Sequence, residues 1–424
     1  MTHYHWIKRI FIVIIFFSIM YTFFTNVLSS QRLDNLAYVV SIGIDEGEIE
    51  KYKLTFQIST VKSSSSSSEG GSEGSSSSDS SGMPSYVTHT VECNSIDMGI
   101  SLMNTYINKQ LNLSHCKVIV LSEAVAKKGI RSIVYNFVNK IEMLPDCSIM
   151  VCSIPEKEFD GKDVPAMGKI LPKFFDLTTN TEEEETEYSQ NISINDFYVA
   201  LENPLAEPYC GIGIVHNTKS KSPLNDKNTI GIDKTSSSIA SQEEELMVDL
   251  LGLAAFKDDV MVGKLSGIET LCHFILTDHL DQGIVTIPSP FDSKDNLNIY
   301  ISMTRNPKIH VYLDDGGTPF IKVDANLIGR LLSFNNTDGT LNEDVIKQIE
   351  DAAEKYLTKQ LYDYLYKTSK ELKCDISSIG KYASLNFLTR QELENYHWLD
   401  NYSTANFAVQ LNVGIKSGYF LTNK

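Results

Sequence analysis

The most pronounced pattern along the chain is an uncharged, apolar run over residues 10–28. As a helix rising about 1.5 Å per residue, this run would be about 28 Å long, close to the thickness of a bilayer's hydrocarbon core. Lys8 and Arg9 stand directly before it, so the positive-inside rule places the N-terminus in the cytoplasm and the rest of the chain outside. The pattern predicts residues 1–30 as a cytoplasmic tip and single-pass anchor. A cleaved signal peptide is the alternative, disfavoured by the length of the run and by the lack of a small-x-small site in residues 25–30.

Strand-like alternation follows in residues 36–45, 51–61 and 86–93, which predicts three neighbouring strands of one sheet. Residues 63–82 interrupt this pattern with 13 serines, 4 glycines and 3 acidic residues and nothing else. Such a segment has no apolar surface to offset the entropy lost on ordering it. It is therefore predicted to be a flexible loop in a hairpin connection, where an insertion costs little.

Helix-like and strand-like segments then alternate up to residue 188. A helix is predicted for residues 95–107, with Ser95 as its N-cap. Its apolar residues fall mainly on one face, which is expected to be the core face: Ile96, Met98, Ile100, Leu102, Met103, Tyr106 and Ile107. The elements predicted after it are a buried strand at 116–121, an amphipathic helix at 130–143 and a strand at 147–154. Together these elements predict an N-terminal α+β domain over residues 31–188.

Two further domains are predicted. The middle domain, residues 189–304, contains a helix at 194–201, a polar loop at 217–241, a hairpin formed by 250–257 and 260–265, and a helix capped by Ser266. The C-terminal α+β domain, residues 305–424, contains a hairpin around 314–317, a long amphipathic helix at 343–374 and a closing strand at 404–415. The predicted fold class is α+β, with an N-terminal transmembrane helix followed by three mixed α/β domains, each with a small sheet packed on helices.

Charge and cysteine content narrow the choice of partners. The formal net charge is −17, and no basic block is present that could neutralise phosphates, so nucleic acid is not an expected partner. The seven cysteines are odd in number and include no CxxC pair. Most lie in apolar runs such as residues 147–152, which predicts buried free thiols rather than a disulfide framework.

Sequence motifs for catalysis are missing, since the chain has no G-x-S-x-G, no H-E-x-x-H and no P-loop. His115 precedes a buried strand and is expected to be an interior histidine bonded to the backbone. Glu269 and His273 would share a helix face, with His279 following, but the segment is apolar and lacks a third spaced ligand for a metal. No catalytic, cofactor-binding or metal site is predicted, and the chain is not expected to be an enzyme.

Clustered acidic residues are expected to have structural roles only. The aspartate pairs at 258–259 and 314–315 are expected in hairpin turns, where aspartate suits the backbone geometry. The four glutamates at 182–185 are expected in a solvated turn, since a calcium site would need spaced ligands.

Several short segments occur in an order and spacing typical of one family. They are residues 33–37 leading to 43–45, residues 114–120, residues 252–257 with 261–265, and Trp398 before 407–409 and 413–415. In this order the chain resembles the C subunit of bacterial spore germinant receptors, the Ger(x)C family, over about residues 31–420. Because no single segment is specific, the resemblance rests on their order and spacing.

This resemblance implies an extracytoplasmic, three-domain α+β protein on the outer face of the spore inner membrane. Such a protein would work with an A subunit and a polytopic B subunit in nutrient-triggered germination, with the small-molecule germinant unknown. The family has no known catalytic residue, so no site carries over. Family members are usually lipoproteins, whereas residues 26–30 contain no cysteine, so in this chain the apolar run at 10–28 would itself be the anchor.

Three hypotheses follow for function. The leading one is a non-catalytic, membrane-anchored receptor subunit that acts by protein–protein contact. The alternative is a single-pass extracytoplasmic enzyme that acts on the cell wall or cortex, which would need an acid/base pair in a cleft. A stand-alone solute-binding protein is the third, and it would need a ligand pocket between domains.

Overall fold

The computed structural model describes residue 6 and residues 11–21, 35–60, 85–154, 165–180, 188–217, 246–291, 295–333 and 343–416. The predicted loops at 63–82 and 217–241, apart from Asn217, lie outside these residues. The acidic segment 182–185 lies outside them as well.

Strands and helices alternate along much of the chain. The strands are β1 (Leu36–Glu46), β2 (Tyr52–Thr60), β3 (Ser85–Cys93), β4 (Gln110–Asn112), β5 (Val118–Ser122), β6 (Ser148–Ser153), β7 (Ile192–Ser193), β8 (Tyr209–Asn217), β9 (Leu246–Lys257), β10 (Val260–Leu265), β11 (Gly283–Pro288), β12 (Asn296–Leu313), β13 (Pro319–Ser333) and β14 (Asn406–Ile415). The helices are α1 (Ile96–Ile107), α2 (Glu123–Ala126), α3 (Arg131–Val138), α4 (Met167–Asn180), α5 (Ile194–Leu201), α6 (Gly267–Thr277), α7 (Glu343–Tyr366), α8 (Gly380–Ala383), α9 (Arg390–Tyr396) and α10 (Trp398–Tyr402).

The first sheet has ten strands in the order β10-β9-β8-β6-β5-β1-β2-β3, with β4 paired to β1 and β7 to β6. Its centre, β8-β6-β5-β1, is parallel, and an antiparallel pair of strands extends it on each side. Parallel strands need crossover connections, which place helices on both faces: α4 on one, and α1, α3 and α5 on the other. The first four residues of β5 are all apolar for this reason: Ile119 and Leu121 enter one core, while Val118 and Val120 enter the other.

The second sheet has four strands in the order β11-β12-β13-β14. Strands β11 to β13 are antiparallel, and β14 runs parallel to β13. Helices α6 and α7 pack on one face, and the long strands alternate accordingly. On β12, Ile309 and Val311 are buried, whereas His310 and Tyr312 are exposed. The mixed α/β character predicted from the sequence is confirmed.

The predicted domain boundaries do not coincide with the change from one sheet to the other. The division at residue 189 falls between α4 and β7, and the first sheet takes strands from both sides of it. The second sheet begins at Gly283, inside the predicted middle domain. The three-domain division stays a prediction.

The predicted helix ends agree with the structure for some helices and not for others. Helix α1 confirms its predicted cap, because the Ser95 Oγ accepts a hydrogen bond from the Met98 N–H (3.3 Å). The helix predicted for 130–143 is wrong in length: α3 ends at Val138, and the chain turns before Pro145, which disfavours helix in the residue preceding it. The helix predicted for 343–374 is α-helical to Tyr366 and continues only as a π-helical turn (Lys367–Glu371).

Residues 11–21 are helical, and their side chains are exposed all around the helix. Within the part of the chain that the structure describes, no helix is both long and apolar enough to cross a membrane. Residue 10 and residues 22–28 of the predicted anchor lie outside that part.

Candidate functional site

A cleft of about 370 Å³ lies between the β9–β10 hairpin of the first sheet and helices α9 and α10, which precede β14. One wall comes from the loop after α5 and from the turn between β9 and β10, and the other wall comes from α9 and α10. The lining residues are Pro204, Leu205, Glu207, Lys257, Asp258, Arg390, Leu393, Glu394, His397, Trp398, Leu399 and Asp400. The cleft thus combines apolar walls with charged groups of both signs.

Glu207 connects three segments at the base of this cleft. Its backbone N–H donates to the carbonyl of Asp375 (2.9 Å), and its carboxylate accepts from the backbone N–H of Asp258 (2.6 Å). The residue is only 6% exposed. Burial raises the pKa of its carboxyl to about 7, although the hydrogen bond from Asp258 acts in the opposite direction.

Asp375 is fully buried next to Glu207 and orients the floor of the cleft. Its carboxylate accepts from the backbone N–H groups of Ile379 (3.0 Å) and Gly380 (2.8 Å) and from the indole Nε1–H of Trp398 (2.8 Å). Burial raises the pKa of Asp375 to about 6, with these three donors opposing the rise. A carboxylate held by three donors fixes the Trp398 ring in one position.

The turn between β9 and β10 is tied to α3 by charged groups. Arg131 pairs with Asp258 and with Glu202 (2.8 Å), and its backbone N–H donates to the Asp259 carboxylate (3.0 Å). Asp258 has φ 57°, a left-handed conformation that aspartate tolerates in turns. The prediction of a hairpin turn at residues 258–259 is confirmed, but the sequence did not indicate that this turn lines a cleft.

Replacing Glu207 by glutamine should flatten the pH dependence of stability. The pKa of Glu207 is about 7 in the folded chain against an ordinary 4.5, so the folded state holds this proton more tightly than the unfolded state does. The stability it contributes is full below about pH 4.5 and is lost as the pH rises toward 7, by up to about 3 kcal/mol. Thermal unfolding of the full chain from pH 5 to 8 measures this loss. Asp375 titrates nearby, so the slope should shrink without vanishing, and an unchanged slope would contradict the prediction.

The second candidate for a functional surface is the solvent-facing side of helix α1. Only Ile96, Gly99 and Met103 of this helix are buried. The predicted core face is therefore wrong in part, because Met98 is 52% exposed, Leu102 41% and Tyr106 75%. We call the exposed residues of this side the α1 face: Met98, Ser101, Leu102, Thr105 and Tyr106. These five residues carry no charge, and Asp97, which is also exposed on α1, is paired with Lys140.

Two family models match the sequence. The model described as "Spore germination protein N-terminal domain" matches residues 29–212, and the model described as "Spore germination B3/ GerAC like, C-terminal" matches residues 251–418. The chain belongs to the GerAC-like family of spore germination proteins. The resemblance to the C subunits of spore germinant receptors is thereby confirmed.

One solved structure is similar to this GerAC-like chain. The structure titled "Crystal Structure of the GerBC protein" is 16% identical, with a TM-score of 0.49, over 88% of this chain and 96% of that one. No curated protein matches the sequence.

Glu269 and His273, the two residues that share a face of α6 in this GerAC-like chain, lie in two different environments. Glu269 forms a capping box with Ser266 and an ion pair with Lys367 (2.8 Å). His273 is fully buried, with Nδ1 3.2 Å from both the Tyr364 hydroxyl and the Ser377 hydroxyl. Burial lowers the pKa of His273 to about 3, so the ring is neutral. Among the described residues, no group of three His, Cys, Asp or Glu could hold a metal ion.

The other candidate residues have structural positions. His115 is exposed in the turn before β5, so the prediction of an interior histidine is wrong. Its ring packs perpendicular to the Tyr38 ring, with the two centroids 4.9 Å apart. The turn at 314–315 is confirmed, with the Asp314 carboxylate accepting from the backbone N–H groups of Gly316 and Thr318 (3.0 and 2.7 Å).

The seven cysteines are buried and free, as the sequence predicts. Two of them, Cys116 and Cys147, lie with their Sγ atoms 3.8 Å apart at the start of neighbouring strands. Burial raises the pKa values of Cys210, Cys272 and Cys374, which keeps these thiols protonated and unreactive.

Proposed function

We propose that this chain is a non-catalytic, membrane-anchored subunit of a spore germinant receptor and acts in nutrient-triggered germination by contact with the A and B subunits. The observation that carries this proposal is the pair of family matches over residues 29–212 and 251–418. The described residues contain a cleft and an uncharged surface but no nucleophile–base pair in hydrogen-bond contact within the cleft. This arrangement favours binding over chemistry.

Membrane anchoring by residues 10–28 is part of the proposal. A helix that is apolar all round needs an apolar environment, and residues 11–21 contain a single serine among phenylalanine, isoleucine, valine, methionine and tyrosine. Lys8 and Arg9 would hold the N-terminus in the cytoplasm. The remaining chain would then lie on the outer face of the spore inner membrane.

The α1 face is the surface we assign to a protein partner. Tyrosine and methionine are enriched in protein interfaces and charged residues are depleted from their centres, which is the composition of this face. It lies beside β3, the edge strand of the first sheet, whose Val87 is 41% exposed. The edge strand and the α1 face form one continuous surface, since the ring of His89 in β3 packs on the Tyr106 ring with their centroids 5.5 Å apart.

Capture of the partner subunits tests this proposal. The full chain, tagged and solubilised from spore inner membranes in mild detergent, should bring down the polytopic B subunit. Replacing Leu102 and Tyr106 together by glutamate should reduce its recovery at least about tenfold, because two charges would be buried in an apolar contact.

The matched control is Tyr312→Glu, since Tyr312 is 53% exposed on the outer side of the second sheet. This variant should capture the partner as the parent chain does. Recovery of the parent chain as a clean monomer would refute the receptor assignment. Equal capture by the double variant would refute only the role of the α1 face.

The enzymatic alternative has one observation in its favour. Glu207 faces a cleft with a pKa of about 7, which suits a general acid or base near neutrality. Incubation of the full chain with peptidoglycan separates the two functions. Fragments released by the parent chain and absent with Glu207→Gln would establish an enzyme in place of a contact subunit.

A further inference from the structure

The charges of the cleft leave one carboxylate uncompensated. Arg390 pairs with Glu394 within the cleft (2.7 Å). Asp258 pairs with Arg131 from outside it. Among the remaining lining residues, Glu207 and Asp400 carry negative charge when ionised, and Lys257 carries positive charge. One monovalent cation would therefore neutralise the cleft, whereas an anion would add to its charge.

The walls of the cleft add an apolar requirement. Pro204, Leu205, Leu393 and Leu399 line it together with the Trp398 side chain. Its volume of about 370 Å³ falls within the range of about 300–1,000 Å³ that small-molecule sites occupy. A hydrated metal ion would leave these apolar walls in contact with water, but an organic cation would cover them.

The polar groups at the base are already fixed in position. The Glu207 carboxylate is held by the Asp258 N–H, and the Trp398 ring is held by Asp375. Both side chains are at least nine-tenths buried. A carboxylate already held by a backbone N–H is pre-organised to pair with an ammonium group, because little further conformational freedom is lost on binding.

We propose that this cleft binds a small organic molecule with a primary ammonium group and an apolar body, with Glu207 as the partner of the ammonium. The ligand would contact the β9–β10 hairpin on one side and helices α9 and α10 on the other. It would therefore stabilise their contact. This proposal concerns the folded chain alone and does not depend on the receptor assignment.

Thermal unfolding of the purified full chain in detergent tests it, with phenethylammonium chloride as the probe. The measurement is made at pH 8, where the Glu207 carboxyl is ionised. At ten times the dissociation constant the midpoint should rise by roughly 1–2 °C. The anion 3-phenylpropionate has a similar apolar body with the opposite charge, and it should leave the midpoint unchanged.

Three variants locate the effect. Glu207→Gln should abolish the rise. Glu142→Gln makes the same change at an exposed position outside the cleft and should retain it. Leu393→Trp fills the cleft without altering its charges and should abolish it, which covers the case of a misfolded Glu207→Gln. Equal shifts with both probes, no shift with either, or a rise that survives both cleft variants would overturn the proposal.

Discussion

Replacing Gly252 by alanine should destabilise the chain by about 3 kcal/mol or more. Gly252 lies in β9 with φ +97°, a region that side-chain-bearing residues rarely adopt. An added Cβ would also meet the backbone oxygen of Leu265 at 2.1 Å, so it would push β10 away from β9. Since the turn between these strands lines the cleft, the loss should extend to ligand binding. Chemical unfolding of the full chain measures the effect.

Gly414 provides the control with the same chemical change. It lies in β14, and an added Cβ would have no atom within 4 Å. Gly414→Ala should change stability by no more than about 0.5 kcal/mol. If the two variants were equally stable, the strain assigned to Gly252 would be absent.

Replacing Asp375 by alanine should cost about 3–5 kcal/mol. The change removes the acceptor of three hydrogen bonds and leaves the N–H groups of Ile379, Gly380 and Trp398 unpaired in the core. Burial of donors without partners is more costly than the loss of the bonds themselves. Intrinsic fluorescence is a direct measurement, because Trp398 is one of only two tryptophans in the chain.

Asp363→Ala is the matched control for this second prediction. Asp363 is a half-exposed carboxylate on α7, paired with Lys359 at 2.7 Å. Because solvent screens such a pair, its loss should cost less than about 0.5 kcal/mol. Asp375→Asn should fall between the two, since it keeps one acceptor oxygen. An Asp375→Ala variant as stable as Asp363→Ala would show that the buried carboxylate does not hold Trp398.

Local patterns predicted much of the fold. The period-2 alternation of 404–415 predicted β14, and Ser266 as a helix cap predicted the start of α6, because both signals are made by neighbouring residues. Helix α4 was missed. It contains Pro172, which disfavours a helix, and its apolar side chains serve a core formed by strands far away in the sequence.

The cleft could not be predicted from the sequence. Glu207, Asp375 and Trp398 are far apart along the chain and share no motif, and each taken alone is an ordinary residue of its type. Their common role depends on the loop after α5 meeting the segment after α7. No local periodicity encodes that contact.

The sequence by itself determined the family, most of the element types and the hairpin turns, because these depend on the order of residues and on backbone preferences over a few positions. Tertiary structure alone decided which apolar faces are covered. Periodicity places Met98, Leu102 and Tyr106 on one side of α1, but whether that side is buried depends on what packs there. Only Ile96, Gly99 and Met103 are buried, while Ile100 and Ile107 pack half-buried against the same core. The same holds for Glu207 and Asp375, whose pKa values are raised by burial that distant segments supply.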